Sequence, residues 1–179
     1  MIPGIPFTQR VRNWLLPDRL PDVVIGGADD PYLIRWHLIP RNPIFNVYLH
    51  QFCRSDDDRA LHDHPWVNLS WLLVGTYDEV VPGKHDTDRI DPDQAKRDPR
   101  FHTQIRRYAG ALVLRRASAA HRVVLLKDAQ GKERPVWTLF ITGPRFREWG
   151  FWCPKGWRHW QEYTRELPGG VSEIGRGCE

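Results

Sequence analysis

The chain has 179 residues, 41% of them apolar, 27% charged and a net charge of +4, which suits one water-soluble domain with a sizeable core and is short for two. No run approaches the roughly 18 uninterrupted apolar residues of a membrane span, and residues 1–7 lack the basic start and apolar stretch of a secretion signal. The positive charge lies in short clusters, Arg106 with Arg107, Arg115 with Arg116 and Arg145 with Arg147, so anionic partners are favoured. A continuous basic stripe or a nucleic-acid module is missing, so nucleic acid is not the expected partner.

In chain order, residues 8–16 carry Val11, Trp14 and Leu15 at helical spacing behind Thr8 and stop at Pro17, which predicts a short N-terminal helix. Residues 21–31, with Gly26, Gly27, Asp29 and Asp30, read as a turn-rich connection. Strands are predicted over 32–39, 45–54, 65–74 and 77–81, where aromatic and branched residues lie between Pro, Asn or Asp breaks, with the last two as neighbours joined by a tight turn at Gly75 and Thr76. Residues 82–100 hold Asp86, Asp88, Asp91, Asp93 and Asp98 among Lys and Arg, and read as an exposed loop. The aspartate spacing lacks the Gly and terminal Glu of a calcium loop. Further strands are predicted over 103–108, 111–116, 122–127, 136–142 and 148–153. The whole is an all-β chain, an antiparallel sandwich or barrel over 32–160 with 1–31 in front and a tail over 161–179 whose last dozen residues are loose. With no span and no secretion signal a cytoplasmic setting is expected; Cys53, Cys153 and Cys178 are odd in number and without zinc-type spacing, so free thiols are expected.

Two stretches carry chemistry. In the first, 60–75, His62 and His64 are two apart, so in an extended strand both imidazoles share a face, with Asp63 turned away. Continuing that parity brings Trp66 and Asn68 to the same side. The second, 110–125, supplies a third histidine, His121.

Together these stretches resemble the two signatures of the cupins. The first signature is a His-x-His pair, three or four residues, Glu, six residues and Gly; here His62, His64 and Gly75 fit, while Asn68 stands for the Glu and Asp56 for the opening Gly. In the second signature Gly110 and His121 are in register, and Arg116, Ser118 and Leu125 replace the usual Pro, Gly and Asn. The resemblance covers about two fifths of the chain. It implies a cupin-type jelly roll in which His62, His64 and His121 bind one divalent transition metal and Asn68 occupies the place of the fourth ligand. Three neutral imidazoles suit iron(II), zinc, nickel or manganese, and without the carboxylate the ion keeps its charge and open positions. His50, Glu79, Cys53, Cys153 and His159 are the other candidates for the fourth place.

Some cupin dioxygenases use three histidines with iron(II), and the resemblance implies an oxygenase-like enzyme, a non-haem iron(II) dioxygenase in kind, acting on a small anionic molecule. A non-catalytic cupin that binds or senses a small molecule, and a metal-free sugar-nucleotide epimerase or isomerase, are the alternatives within one fold. Arg115 and Arg122 are candidates to hold a substrate carboxylate, against the commoner placement of a strand Arg in solvent. Trp66 and Trp71 offer a wall or lid. Four Trp within 149–160 read either as a turn closing the barrel mouth or as a core plug. A homodimer is compatible with the reading.

Overall fold

In a computed structural model, the structure describes residues 19–26, 29–56, 60–83, 90–167, 171–174 and 177–178. The expected helix over 8–16 lies outside them, as do Asp86 and Asp88. Strands β1 (Val23–Ile25), β2 (Leu33–His37), β3 (Asn46–Phe52), β4 (Leu61–His62), β5 (Asn68–Val74), β6 (Thr76–Pro82), β7 (His102–Tyr108), β8 (Leu112–Arg115), β9 (Arg122–Leu125), β10 (Val136–Thr142), β11 (Gly150–Cys153) and β12 (Gly156–His159) build two layers. One sheet has the order β1-β2-β3-β10-β5-β8. The other joins β7-β6-β9 to β4-β11-β12, because the backbones of His62 and His121 exchange two hydrogen bonds, each 2.9 Å long. Every strand pair is antiparallel. This is an antiparallel two-sheet β-sandwich, the all-β architecture expected of the sequence, with each sheet pleated so that alternate residues face inward.

The face of the six-stranded sheet turned toward the second sheet reads in cross-strand rows fixed by register. Arg35, His50, Thr138 and Leu72 form one row, Tyr48, Phe140 and Ser70 the next, and Asn46, Thr142, Asn68 and Arg115 a third. At the Gly75 end the space between the sheets is closed by Leu72, Tyr77, Val123, Leu125 and Val136. On the opposite face of the first sheet Trp36 stacks on Trp137 at 5.5 Å beside Leu49. The interior is therefore apolar at one end and polar at the other.

The structure corrects several expectations. The chain does not keep one strand from the histidines to Val74: β4 ends at His62, and residues 63–67 cross to the other sheet, where Asn68 opens β5. Likewise β5 and β6 are not paired neighbours, since each belongs to a different sheet. Gly75 turns the chain between them at φ +94°, and a Cβ there would lie 2.7 Å from Val136 Cγ1, so both the conformation and the space call for glycine. The connection over 21–31 contributes β1, paired with β2. Within 82–100 lies a helix, α1 (Pro92–Arg97), capped by the Asp91 side chain and burying Ala95, with Lys96 4.1 Å above the Trp152 ring. Asp91, Asp93 and Asp98 cap and pair rather than decorate a bare loop.

The four-Trp stretch is a hairpin, β11 with β12, at the edge of the second sheet. Several of the described residues after it are ordered into elements. The chain runs through α2 (Trp160–Tyr163) into a hairpin of β13 (Thr164–Leu167) and β14 (Val171–Ile174), and Cys178 is bonded to Cys153. Two of the three cysteines are thus not free thiols; only Cys53 is. The pairing was hidden because the partners are 25 residues apart and are brought together by the returning chain end. Tyr163 stacks on Phe151 at 3.7 Å beneath this bond.

A loop of this length loses about 3 kcal/mol of chain entropy on closure. Cys178→Ser is expected to lower the unfolding free energy by about 2–4 kcal/mol in urea titrations, and reductant should lower the wild type to the level of the variant.

Candidate metal centre

His62, on β4, and His121, just before β9, are cross-strand neighbours in the second sheet, and His64 follows on the crossing segment. Their rings converge, with one ligand nitrogen from each inside a span of 4.8 Å. The Nε2 atoms of His64 and His121 are 2.9 Å apart. Two nitrogens bound at right angles to one ion, each about 2.1 Å from it, would be about 3.0 Å apart, so this pair fits a shared metal. The His64 backbone is tied down by its N–H donating to the Ala117 carbonyl, 3.0 Å away, and by Arg147, whose Nη1 donates to the carbonyls of both His64 and Ala117.

Asp63 is turned away from the rings, as its place between two histidines predicts, and is fully buried. Its carboxylate accepts from the Gly150 N–H and from the indole N–H groups of Trp152 and Trp157, and lies 3.1 Å from Arg147 Nη1. One buried carboxylate thus locks the metal-side turn to the β11 and β12 hairpin.

All three rings are held neutral. Burial pushes His121 down to about 3, with Arg115 adding to the effect and Glu79 opposing it. Burial also holds His64 well below its ordinary value, reinforced by His121 and His62, and lowers His62, where Asp56 opposes it. Neutral imidazoles keep the lone pairs a metal needs.

Glu79, weighed as a fourth ligand, is placed behind the site. It lies on the inward face of β6, is 1% exposed, and pairs with Arg107 at 2.7 Å and with Arg115, whose Nε donates at 2.7 Å. Its Oε1 is 3.2 Å from His121 Nδ1, though not aligned as a hydrogen bond. Burial alone would raise the Glu79 carboxyl; His121 and Arg115 outweigh it and hold the group well below the usual carboxylate range. Arg115 is consequently committed to Glu79 rather than free for a substrate. Arg122 shares the parity of Val124, which packs on the outer cluster of Leu61, Val80, Ala120 and Trp152, so it faces away from the interior.

Asn68 is 1% exposed and neither side-chain atom has a partner within the protein. Buried Trp66 Nε1 is also unpaired. Trp71 is 44% exposed on the outer face and forms no wall of the interior. His50 is buried but points its Nε2 at Arg35 Nε, 2.9 Å away, and is not among the converging rings. Cys153 is consumed by the disulfide, Cys53 is half-buried near the Gln51 carbonyl, and His159 pairs with Glu148.

Sequence reasoning missed Arg35, Asp63 as an anchor, and Arg147. For Arg35 a signal existed: in β2 it alternates with Ile34 and Trp36, whose side chains pack in the opposite-face cluster, which leaves Arg35 on the inward side.

No family model matches the sequence, and no curated protein is similar to it. Among solved structures the chain is similar to HppE in its iron(II) form, with 14% identity and a TM-score of 0.46 over 71% of this chain and 58% of that one. It is also similar to the DMSP lyase DddQ from Ruegeria pomeroyi DSS-3, with 16% identity and a TM-score of 0.40 over 70% and 54%. A third is a cupin domain from Bordetella pertussis Tohama I, with 12% identity and a TM-score of 0.40 over 65% and 98%. The chain spans little more than half the length of the first two, and these identities are too low to speak to chemistry.

Two outcomes follow from this geometry. In the unfolded chain the histidines take up protons near pH 6.5, but folded His121 does so only near 3, so the unfolded state binds more protons between those values. Chelator-treated protein should therefore lose stability steadily as pH falls from 6.5 toward 3, and a His64→Asn, His121→Asn variant should show a shallower slope in the same urea titrations. Second, Glu79→Gln should weaken metal affinity by about 10- to 100-fold, measured by competition with a chelator, because the group that holds His121 loses its charge.

Proposed function

We propose that the protein is a metal-dependent cupin whose centre of His62, His64 and His121 holds one divalent transition metal, iron(II) by preference, and that it acts as an oxygenase-like enzyme on a small anionic molecule. The observation that carries this reading is a set of three neutral imidazoles, His121 buried and His62 and His64 partly so, converging on one point, with the nearest carboxylate, Glu79, withheld by two guanidinium groups. A closed structural zinc site takes four protein ligands. Here the fourth motif position is a neutral amide, Asn68, with both polar atoms unpaired.

The bound metal would supply Lewis acidity, and with iron a route to redox chemistry. The protein's own part is to fix the rings: Glu79 stands beside the Nδ1 side of His121, Asp63 and Arg147 anchor the backbone around His64, and Phe151 flanks His62 with ring centroids 5.9 Å apart. The inward polar side chains of the first sheet then orient whatever binds. Zinc, nickel or manganese would fit the same donors and direct the chemistry elsewhere.

Among the described residues no helix is long and apolar enough to cross a membrane. We assign a small-molecule partner in preference to nucleic acid and place the protein in the cytoplasm, where the Cys153 to Cys178 bond would have to withstand cellular thiols.

Metal analysis of purified protein beside a His62→Ala, His64→Ala variant tests the reading. Close to one transition metal per chain is expected in the wild type after reconstitution with iron(II), and none in the variant. Oxygen uptake by the iron form in the presence of small carboxylates is the next readout. Equal metal content in both proteins, or none in either, would remove the metal-dependent reading.

A further inference from the structure

Among the described residues, Arg35 is a cation without a carboxylate. It lies on the inward face of β2, its Nε donates to His50 Nε2 at 2.9 Å, and its guanidinium carbon sits 4.9 Å above the Tyr48 ring. Among the described residues the charged neighbour that acts on it is Arg41, a like charge, and no Asp or Glu is among those that do. The inward guanidiniums of Arg107 and Arg115 are both paired with Glu79. A partly buried arginine with no counter-ion is costly unless something else supplies the negative charge.

The neighbours of Arg35 point to what that is. Because His50 Nε2 accepts from Arg35, the proton of the neutral ring is on Nδ1, and this N–H, on a residue 3% exposed, has no partner among the described residues. Thr138, cross-strand from His50 and 1% exposed, also has an unpaired hydroxyl. Phe140 stacks on His50 with centroids 5.1 Å apart and reaches the metal centre, 5.9 Å from the His64 ring. An unpaired cation, an unpaired N–H and an unpaired hydroxyl thus share one row of the interior, next to an aromatic floor that ends at the histidines.

We propose that this row is a binding site for a small monocarboxylate, held through the two outer nitrogens of Arg35, with the His50 N–H and the Thr138 hydroxyl as accessory contacts. A planar guanidinium whose Nε is already engaged still offers a paired edge to a planar carboxylate. One uncompensated guanidinium matches one negative charge. The site names the substrate class for the metal centre and in that respect rests on the proposed function; anion binding itself does not need the metal.

Calorimetric titration of metal-free protein with acetate and benzoate tests it, using benzamide as the uncharged isostere and phenylphosphonate as the bulkier anion. Benzoate is expected to bind more tightly than benzamide, and Arg35→Met to weaken benzoate by about tenfold or more while metal stoichiometry and the circular dichroism spectrum stay unchanged. Arg35→Lys, which keeps the charge but not the fork, should fall between them, and Thr138→Val should cost a few-fold; both report on the site should Arg35→Met fail to fold. Equal affinity for benzoate and benzamide, unchanged benzoate affinity in Arg35→Met and Arg35→Lys, tighter binding of phenylphosphonate, or no binding of either carboxylate to the wild type would each overturn the assignment. Arg35-dependent benzoate binding in a protein that takes up no metal would uphold this site and remove the metal reading, so the two fail separately.

Discussion

Glu79 is the constraint around which the second sheet is arranged. A carboxylate with 1% exposure would be ruinous alone, since an isolated buried ion costs several kcal/mol even after relaxation. Arg107 reaches it from β7, Arg115 from the far end of the first sheet, and His121 from the turn into β9. Three successive elements that follow Glu79 in the chain are thereby drawn to it from two sheets, and His121 is held at the place where His62 and His64 arrive. Such a network adds little net stability over an apolar core of the same shape; its effect is to fix one arrangement of the rings.

The same network explains a departure from the motif. In the cupin pattern a carboxylate follows the His-x-His pair as a ligand, but here the fourth position is Asn68 and the nearby acid stands behind His121 instead. The negative charge is kept and moved one layer outward, where two guanidiniums neutralise it. One carboxylate against two guanidiniums leaves that network with a net positive charge, and Arg35, across the interior, adds a second. That distribution favours an anionic guest without requiring one to displace a protein ligand.

Much of the framework was legible in the sequence. Residues 136–142 are so rich in branched and aromatic side chains, between Pro135 and Gly143, that their strand bounds coincide with β10, and the spacing of His62, His64 and His121 brought out the converging rings. What alternation cannot convey is the sheet to which a strand belongs. Residues 63–67 and Gly75 each carry the chain from one layer to the other, so parity ran correctly into β5 while its neighbours were misjudged. Arg35 was missed for a related reason: a charged residue in a strand is ordinarily solvent-facing, and only the packing of Ile34 and Trp36 on the opposite face shows that it points inward. The disulfide escaped because the residues between its cysteines carry no pattern that announces a return to β11.

That return matters to the site as well as to the chain end. Phe151 lies between the His62 ring and Tyr163, so the segment fixed by Cys178 presses on the residue that flanks a metal-binding histidine. Cys153 is 2% exposed, which leaves Cys178 as the sulfur a solvent thiolate would reach first. Opening the bond would release the cover over Phe151 before it disturbed β11, because β11 is independently pinned through Asp63 to Gly150 and Trp152. The metal-side backbone and the chain-end cover are therefore held by separate interactions, and loss of the second leaves the first in place.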